Sequence, residues 1–248
     1  MKRLRYWIKQ RLSWVLVPIQ GGPIKGYRFG LFTGTRFIRG TYHRHEAERI
    51  ERLANAGDVV FDIGAHVGYY TVLASRVVGD RGRVFAFEPL PLNLEYLNRH
   101  IRSNRLTNVT VFDAAVGSTE GRRPFDIGKG SGRGRLDANS DNTLTQVQVL
   151  KLDALFREGR LPCPNLIKMD IEGGEAEALR GATVMLSQCC PIVLLSTHGP
   201  AVKIECKSIL ASLGYRLSYL SKSDLCAIPP EKRRGWPEVG FGIRRIAG

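Results

Sequence analysis

Three acidic residues stand at the ends of three successive apolar segments. Asp62 lies near the end of the first segment, Glu88 ends the second, and Asp113 follows the third with Ala114 beside it. In an open α/β sheet the carboxyl ends of parallel strands form the ligand-binding edge. At that edge Glu88 could bind both hydroxyls of an adenosine ribose, and Asp113 could accept a hydrogen bond from an adenine amino group. Each acid alone has a simpler explanation, because acids are common at strand ends. Three acids at corresponding ends of successive strands favour a nucleoside site.

Two glycines bracket the turn that follows the first segment. Gly64 and Gly68 stand in the stretch Asp58 to Gly68, DVVFDIGAHVG, between an apolar run and a helical pattern. Glycine lets the backbone approach a ligand closely, and a helix start offers free N–H groups. The spacing Asp-x-Gly-x-x-x-Gly lacks the close glycine pair with which dinucleotide-binding proteins admit a pyrophosphate. The turn therefore predicts a ligand without a pyrophosphate, and Asp62 can accept hydrogen bonds from it or pair with a cation.

A second set of polar residues follows the later apolar segments. Asp170 and Glu172 flank the end of segment 165–170, and His198 follows segment 191–197. Such groups can orient a hydroxyl and take its proton, which makes them candidate catalytic residues. The alternative is structural: an acid near a helix start stabilises that helix by roughly 0.3–1 kcal/mol, and His198 can cap the helix after it. The two acids at one strand end favour the catalytic role.

The same three residues could bind Mg²⁺ through oxygen and nitrogen atoms. Three residues in a sequence do not define a metal site, and proton transfer needs no metal. We therefore expect no metal.

The elements that would position these residues alternate between strands and helices. From residue 57 to 112 the pattern strand, then helix, occurs repeatedly, which is typical of a parallel sheet. Two further strands are predicted at 165–170 and 191–197, and a terminal pair at 215–220 and 224–228. The sequence predicts an α/β fold around a mostly parallel sheet.

Three blocks, FDIGAHVGYYT, VFAFEPLPLNLEYLNRHI and LIKMDIEGGEAEALRGA, resemble the FkbM-type S-adenosylmethionine-dependent methyltransferases. The resemblance runs from about residue 57 to 198. It implies a Rossmann-like class I methyltransferase fold, with a mostly parallel seven-stranded sheet that has an antiparallel edge. It also implies S-adenosylmethionine as the cofactor, with Asp62 and Gly64 facing its methionine part, Glu88 its ribose and Asp113 its adenine. Such enzymes mostly methylate hydroxyls, often on sugars.

The positive charge of the chain is concentrated at its N-terminus. The formal net charge is +14, and residues 1–45 hold ten Lys or Arg and no Asp or Glu. Within residues 1–19 the apolar residues fall at helical spacing, which predicts a basic amphipathic helix that either lies on an anionic membrane or packs on protein. Residues 27–39 alternate like a β-hairpin.

Two other stretches carry secondary candidates. Residues 43–55 predict a helix. The family resemblance implies that this segment lies beside the cofactor pocket, which makes Tyr42, His45 and Glu46 secondary candidates, although a solvated role is simpler for each. Residues 128–135 form a basic, glycine-rich loop that we expect to face the substrate.

Hydropathy and cysteine content indicate where in the cell the protein is located. The apolar runs are too short for a transmembrane helix. The five cysteines are odd in number and show no metal-binding spacing, so we expect reduced thiols in a cytoplasmic protein, with peripheral attachment to the inner face of the membrane through residues 1–19 as an option.

Three functions remain open. The first is O-methylation of a hydroxyl on a sugar, glycolipid or related metabolite by a domain at 57–230, between an N-terminal part at 1–56 and a tail at 231–248. The second is RNA or DNA methylation, suggested by the charge, although the basic residues are terminal and the motif after the fourth strand, Asp-Ile-Glu-Gly, lacks the Pro-Pro-aromatic sequence that holds an exocyclic amine. The third is a non-catalytic, membrane-recruited module that keeps the fold only.

Overall fold

The computed structural model describes residues 15–31, 33–126, 135–136 and 144–230. Its strands are β1 (Leu16–Pro18), β2 (Arg28–Gly30), β3 (Val59–Ile63), β4 (Arg83–Phe87), β5 (Val109–Phe112), β6 (Ala115–Val116), β7 (Gly121–Asp126), β8 (Arg135–Leu136), β9 (Leu144–Leu150), β10 (Leu166–Met169), β11 (Ile192–Ser196), β12 (Arg216–Tyr219) and β13 (Asp224–Ile228). Its helices are α1 (Thr35–Arg39), α2 (Arg44–Leu53), α3 (Tyr69–Val78), α4 (Pro91–Ser103), α5 (Leu152–Arg157), α6 (Glu175–Arg180), α7 (Thr183–Cys189) and α8 (Pro200–Ser212).

Seven strands form the central sheet in the order β12-β13-β11-β10-β3-β4-β5. The pairs from β11 to β5 are parallel, whereas β13 runs antiparallel to both of its neighbours. This confirms the predicted mostly parallel seven-stranded sheet. The chain order reverses between β3 and β10, and open α/β sheets bind ligands at such a switch point, outside the carboxyl ends of the strands.

Strand β3 shows why the sheet is buried on both faces. Phe61 and Ile63 belong to one hydrophobic cluster, while Val60 belongs to another. Alternate residues of a strand point to opposite faces, so a nearly continuous apolar run is what a doubly covered strand requires. Helix α3 packs in the second cluster through Val72 and Leu73.

A smaller sheet has the order β6-β9-β7-β8. Leu90, Ala115, Phe125, Val147 and Val149 form its hydrophobic cluster. These short strands lie between β5 and β10 in the chain and are not part of the central sheet. Of the predicted substrate-facing loop 128–135, all but Arg135 lies outside the described residues.

The helix predicted at 43–55 is present as α2 (Arg44–Leu53), but two other predictions for the N-terminal part were wrong within the described residues. Strand β1 pairs with β2, so residues 16–18 are not helical, and Phe37 lies in α1 rather than in a hairpin strand. Gly40 ends α1 in the left-handed conformation, where a Cβ would lie 1.8 Å from the Gly21 carbonyl oxygen. This close glycine crossing folds the segment back, which local alternation could not indicate. Residues 1–14 lie outside the described residues, and membrane attachment stays a prediction.

The segment after β10 forms two short helices, α6 and α7, rather than one continuous helix. Between α6 and α7, a Cβ at Gly181 would lie 2.1 Å from the Gly117 carbonyl oxygen, so the small sheet presses against the break. The buried Asp153 carboxylate accepts hydrogen bonds from the backbone N–H groups of Val184 and Met185, at 3.1 and 2.9 Å, and so starts α7 anew.

Cys163 and Cys189 form a disulfide bond, with their Cα atoms 5.2 Å apart. The prediction of five reduced thiols is wrong for this pair. Cys163 precedes β10 and Cys189 ends α7, and only tertiary packing brings them together. Cys190, Cys206 and Cys226 are buried free thiols. The bond removes the argument from reduced thiols on which a cytoplasmic location rested.

Among the described residues, no helix combines the length and the hydropathy that crossing a membrane requires.

One buried histidine joins the N-terminal part to the turn after β3. His100 stacks on Phe29 with ring centroids 4.0 Å apart. The Gly30 N–H donates to His100 Nε2 at 2.9 Å, so this nitrogen carries no proton and Nδ1 donates to the Val67 carbonyl at 2.6 Å. His100 must therefore be neutral to make both bonds.

We expect acid to destabilise the fold through His100. Burial lowers the pKa of His100 to about 4, so its contribution is present above pH ~6.5 and is lost as pH falls towards 4. The loss in unfolding free energy is on the order of 3 kcal/mol, because His100 is fully buried. Urea unfolding between pH 7 and pH 4 should show a shallower pH dependence in His100→Gln than in the wild type. His45→Gln, at an exposed site, is the control, and equal slopes in all three proteins would refute this role.

Candidate active site

A cavity opens outside the carboxyl ends of β3, β4 and β10, which we call the central cavity. Its lining comes from the turn after β3, from the segments after β4 and β5, from β10 and its following loop, and from the segment between α1 and α2. Among the predicted site residues, it is lined by Gly64, Glu88, Ala114, Asp170, Glu172 and His198. Asp62, Gly68 and Asp113 do not line it.

The two glycines of the turn have different reasons for being glycine. Gly64 has φ +85°, and a Cβ there would lie 2.0 Å from the Asp170 carbonyl oxygen, so the turn presses against the end of β10. Gly68 starts α3 with φ +92°, and a Cβ would lie 2.6 Å from Leu97 Cδ1. Only Gly64 faces the cavity, whereas Gly68 makes the turn and its packing possible.

The Glu88 carboxylate is held rigidly at the tip of β4. It accepts hydrogen bonds from the backbone N–H groups of His66 and Leu90, at 2.8 and 2.9 Å, and from the Asn93 amide at 3.0 Å. Burial raises the pKa of Glu88, and these three bonds act against that rise. The carboxylate therefore faces the cavity in a fixed orientation, before any ligand binds.

The wall beside Glu88 is apolar. Leu90, Ala114, Val116 and Phe125 line it, which suits the face of an aromatic ring. Asp113 is exposed and points to no part of this cavity, so the structure does not bring its carboxylate to the predicted adenine position. Strand β5 ends at Phe112, and the chain then turns so that Ala114 rather than Asp113 faces inward.

Asp62 lies beneath the cavity rather than in its wall. It is 1% exposed, accepts a hydrogen bond from the Thr71 hydroxyl at 2.6 Å, and lies 3.8 Å from the Lys168 ammonium. Burial raises the pKa of Asp62, and Lys168 counteracts it. Asp62 does not line the cavity but contacts Lys168, which does, so its direct contact with a cofactor stays a prediction.

Lys168 is a cavity residue that the sequence reasoning missed. Its Nζ lies 3.7 Å from Asp170 Oδ2 and 4.7 Å from the centre of the Tyr70 ring. Burial disfavours its charge, but Asp170, Asp62 and Glu46 together raise the pKa of Lys168, so it remains an ammonium. The available signal was a lysine in the middle of the apolar strand Leu-Ile-Lys-Met, because a charge in a buried strand needs a partner.

Asp170, Glu172 and His198 come together at one edge of the central cavity. His198 Nε2 lies 3.6 Å from both Asp170 Oδ1 and Glu172 Oε2. On its other side, His198 Nδ1 donates to Glu175 Oε1 at 2.8 Å. The hydrogen bond to Glu175 outweighs burial and raises the pKa of His198 to about 9. At neutral pH the imidazole is therefore protonated and bridges three carboxylates.

Glu175 is the second residue that the sequence reasoning missed. It is 0% exposed, and its Oε1 also accepts from the backbone N–H groups of Ile171 and Gly173, at 3.3 and 3.1 Å. Glu175 thus shapes the loop that carries Glu172 and orients His198 at the same time. It is the last acid of Glu-Gly-Gly-Glu, where a helix-start role is the obvious interpretation.

The three clustered residues could also hold a metal ion. Asp170, Glu172 and His198 each offer one ligand atom, and these atoms lie within 4.8 Å of one another. The expectation that the protein uses no metal stays a prediction.

The three secondary candidates at the start of α2 lie in different environments. Tyr42 lines the central cavity and stacks on His43 with ring centroids 4.2 Å apart. Glu46 accepts hydrogen bonds from the Tyr70 and Ser196 hydroxyls. His45 is exposed and does not line the central cavity.

The lining of the central cavity has three chemically distinct parts. There is an apolar wall, a fixed carboxylate at Glu88, and an end that carries both an ammonium at Lys168 and a carboxylate at Asp170. An aromatic ring matches the apolar wall, a ribose diol matches Glu88, and a zwitterionic amino-acid end matches Lys168 and Asp170. S-adenosylmethionine has all three, so the residues present fit that cofactor.

Comparisons with known proteins agree with this arrangement. The sequence profile of the methyltransferase FkbM domain matches residues 62–217, more than half of the chain. The hexuronic acid methyltransferase AglP of Haloferax volcanii is 28% identical over 202 residues, which cover 79% of this chain and 81% of that protein. The ribosomal RNA large subunit methyltransferase E of Alkalilimnicola ehrlichii is 33% identical over 89 residues, which cover 36% of this chain and 42% of that protein.

A solved structure shares the fold. The crystal structure of an FkbM methyltransferase from Methylobacillus flagellatus superposes with a TM-score of 0.52 at 23% identity, covering 75% of this chain. This chain spans just under half of that one, 46% of its length. The domain match, the sheet order and the three-part cavity lead to one conclusion: the chain belongs to the FkbM family of methyltransferases, and its cofactor is S-adenosylmethionine.

Proposed function

We propose that this protein transfers the methyl group of S-adenosylmethionine to a hydroxyl of a sugar, glycolipid or related metabolite. The observation that carries the proposal is the cluster of Asp170, Glu172 and His198 at the edge of the central cavity, because a hydroxyl is a weak nucleophile that gains from a nearby proton acceptor. The relative from Haloferax volcanii, whose name assigns it to hexuronic acid, supports a sugar as the acceptor.

Each residue of the cluster has a proposed role in the displacement. The bound cofactor supplies an activated methyl group on a sulfonium, and the acceptor oxygen attacks the methyl carbon while the carbon–sulfur bond breaks and the sulfur keeps the electron pair. Asp170 or Glu172 accepts the hydroxyl hydrogen bond and then the proton. His198 is already protonated at neutral pH, so it orients these carboxylates rather than acting as the base. Lys168 holds Asp170 from the other side.

RNA methylation is the weaker candidate. The match to the ribosomal RNA methyltransferase covers about a third of this chain, whereas the match to the sugar methyltransferase covers most of it. The excess of positive charge is concentrated in residues 1–45 of the sequence, and residues 46–248 carry only +4.

Cofactor affinity should depend on Glu88. In Glu88→Gln we expect S-adenosylmethionine to bind roughly 10- to 100-fold more weakly, because an amide replaces a carboxylate that would accept from two ribose hydroxyls. Isothermal titration of the purified protein measures this. Glu158→Gln removes a carboxylate that is about half exposed and far from the cavity lining, so it should bind like the wild type. Equal affinity in all three proteins would remove the ribose assignment.

Methyl transfer should depend on Asp170 far more than cofactor binding does. In Asp170→Asn we expect kcat on a panel of sugar acceptors to fall by roughly 10²–10⁴, since the proton acceptor is lost. Formation of S-adenosylhomocysteine measures turnover, and titration measures the cofactor Kd. The assay is run in EDTA and again with Mg²⁺, where we expect the same rates. Unchanged kcat would exclude Asp170 as the base, and activity restored by Mg²⁺ alone would identify the cluster as a metal site.

The pH profile should show that Glu175 acts through His198. Because the pKa of His198 is about 9, the orienting imidazolium is present below that pH, and kcat should fall as the pH rises through it. In Glu175→Gln a neutral amide replaces the carboxylate that stabilises the imidazolium. The pKa of His198 should therefore fall, and the decline in kcat should move to lower pH. A profile lowered equally at every pH would mean that Glu175 has only a structural role.

A further inference from the structure

A second concavity meets the central cavity, and we call it the side groove. It lies between the start of α2, the end of β11 and the turn from β12 to β13. His43, Asp170 and His198 line both spaces, so the two join at the candidate catalytic cluster. Its volume of about 360 Å³ is many times the ~30 Å³ share of one water molecule, which leaves room for a sugar ring.

One wall of the side groove is rich in hydroxyls. Asp224 accepts hydrogen bonds from the hydroxyls of Ser196, Ser221 and Ser223, at 3.0, 2.6 and 3.3 Å. Each of these serines also lines the groove, and a serine oxygen keeps lone pairs that can accept from a sugar hydroxyl. The wall thus suits a polyhydroxylated ligand.

Arg49 is the unusual residue of the side groove. It is half-buried on α2, lines the groove, and does not line the central cavity. Within the described part of the chain, its guanidinium has neither a carboxylate partner nor a hydrogen-bond acceptor. The carboxylates that line the groove are engaged by other groups: Glu46 by His43 and Tyr70, Asp224 by three serine hydroxyls, and Asp170 by Lys168 and His198.

The other groove arginine provides a contrast. Arg44 is 73% exposed and pairs with Glu48 at 3.0 Å, as an ordinary surface arginine does. A partly desolvated guanidinium with no direct ion-pair partner is unfavourable, and its planar fork matches the two oxygens of a carboxylate or phosphate. Arg49 is therefore set up to receive an anion from outside the protein.

We infer that the side groove is the acceptor site and that Arg49 binds an anionic group, a carboxylate or a phosphate, on the acceptor sugar. The inference rests on the proposed function and narrows its substrate to acidic sugars. The anion would lie at Arg49, outside the central cavity, while the hydroxyl to be methylated would reach Asp170 where the two spaces join. This separation keeps the anion of the acceptor away from the acidic cluster.

The test compares three probes by titration into the full-length protein saturated with S-adenosylhomocysteine: glucuronate, glucose 1-phosphate and neutral glucose. We expect at least one anionic probe to bind the wild type about tenfold or more tightly than glucose, and Arg49→Gln to remove that preference. Arg49→Lys should restore part of it, because charge returns without the fork. The two anionic probes distinguish a carboxylate from a phosphate.

Arg52→Gln is the matched control, since Arg52 is exposed on the same helix and does not line the groove. It should bind all probes like the wild type. The inference is overturned if the anionic probes bind no better than glucose at millimolar concentration, if Arg49→Gln weakens every probe equally, or if Arg52→Gln has the same effect. Thermal unfolding of each variant verifies that it is folded.

Methyl transfer to the same probes separates this inference from the proposed function. Methylation of glucose and glucuronate at equal kcat/KM would support the reaction and overturn the anion site. Binding of an anion through Arg49 without methylation of any sugar would support the site and count against the proposed reaction.

Discussion

A single buried ammonium determines how the catalytic edge of the sheet is arranged. Lys168 and Asp62 are register partners on the neighbouring strands β10 and β3, where the order of the sheet reverses. Neither charge could be buried alone, because the cost of desolvating an isolated ion is several kcal/mol. Together they allow Asp170, which lies 3.7 Å from the same ammonium, to stand at the end of β10 with its negative charge partly compensated. The candidate base therefore depends on a residue buried behind it.

The cluster of Asp170, Glu172 and His198 has a second buried support, Glu175, on the side opposite to Lys168. Glu175 is fully buried, holds one nitrogen of His198, and leaves the other nitrogen facing Asp170 and Glu172. Asp170 thus meets a cation on each side, the Lys168 ammonium from the sheet and the His198 imidazolium from the loop after β11, and Glu172 meets the imidazolium. Groups held in this way need little reorganisation when a reaction develops charge, which is the main means by which enzyme sites stabilise transition states.

The sequence predicted those parts of the fold that depend on local pattern. The apolar runs with glycine-bearing turns marked β3, β4, β5, β10 and β11, and the acid after β4 marked Glu88 as a cavity residue. What it missed depends on tertiary packing. Asp113 faces outward because of the turn after β5, the Cys163–Cys189 bond joins residues 26 apart, and Gly40 folds the N-terminal part by crossing Gly21. Lys168 and Glu175 matter through their partners, which no local pattern names.

The junction of the two spaces imposes a charge problem that any acceptor must satisfy. Asp170 lines both spaces and Glu172 lines the central cavity, and their negative charge favours the positive sulfonium of the cofactor but repels an anion. An acidic acceptor can therefore bind only if its anion is held outside the central cavity by a positive group. Arg49 is placed in this way, because it lines the side groove and not the central cavity. A neutral sugar would need no such residue, and a half-buried arginine without a partner would then only reduce the stability of α2.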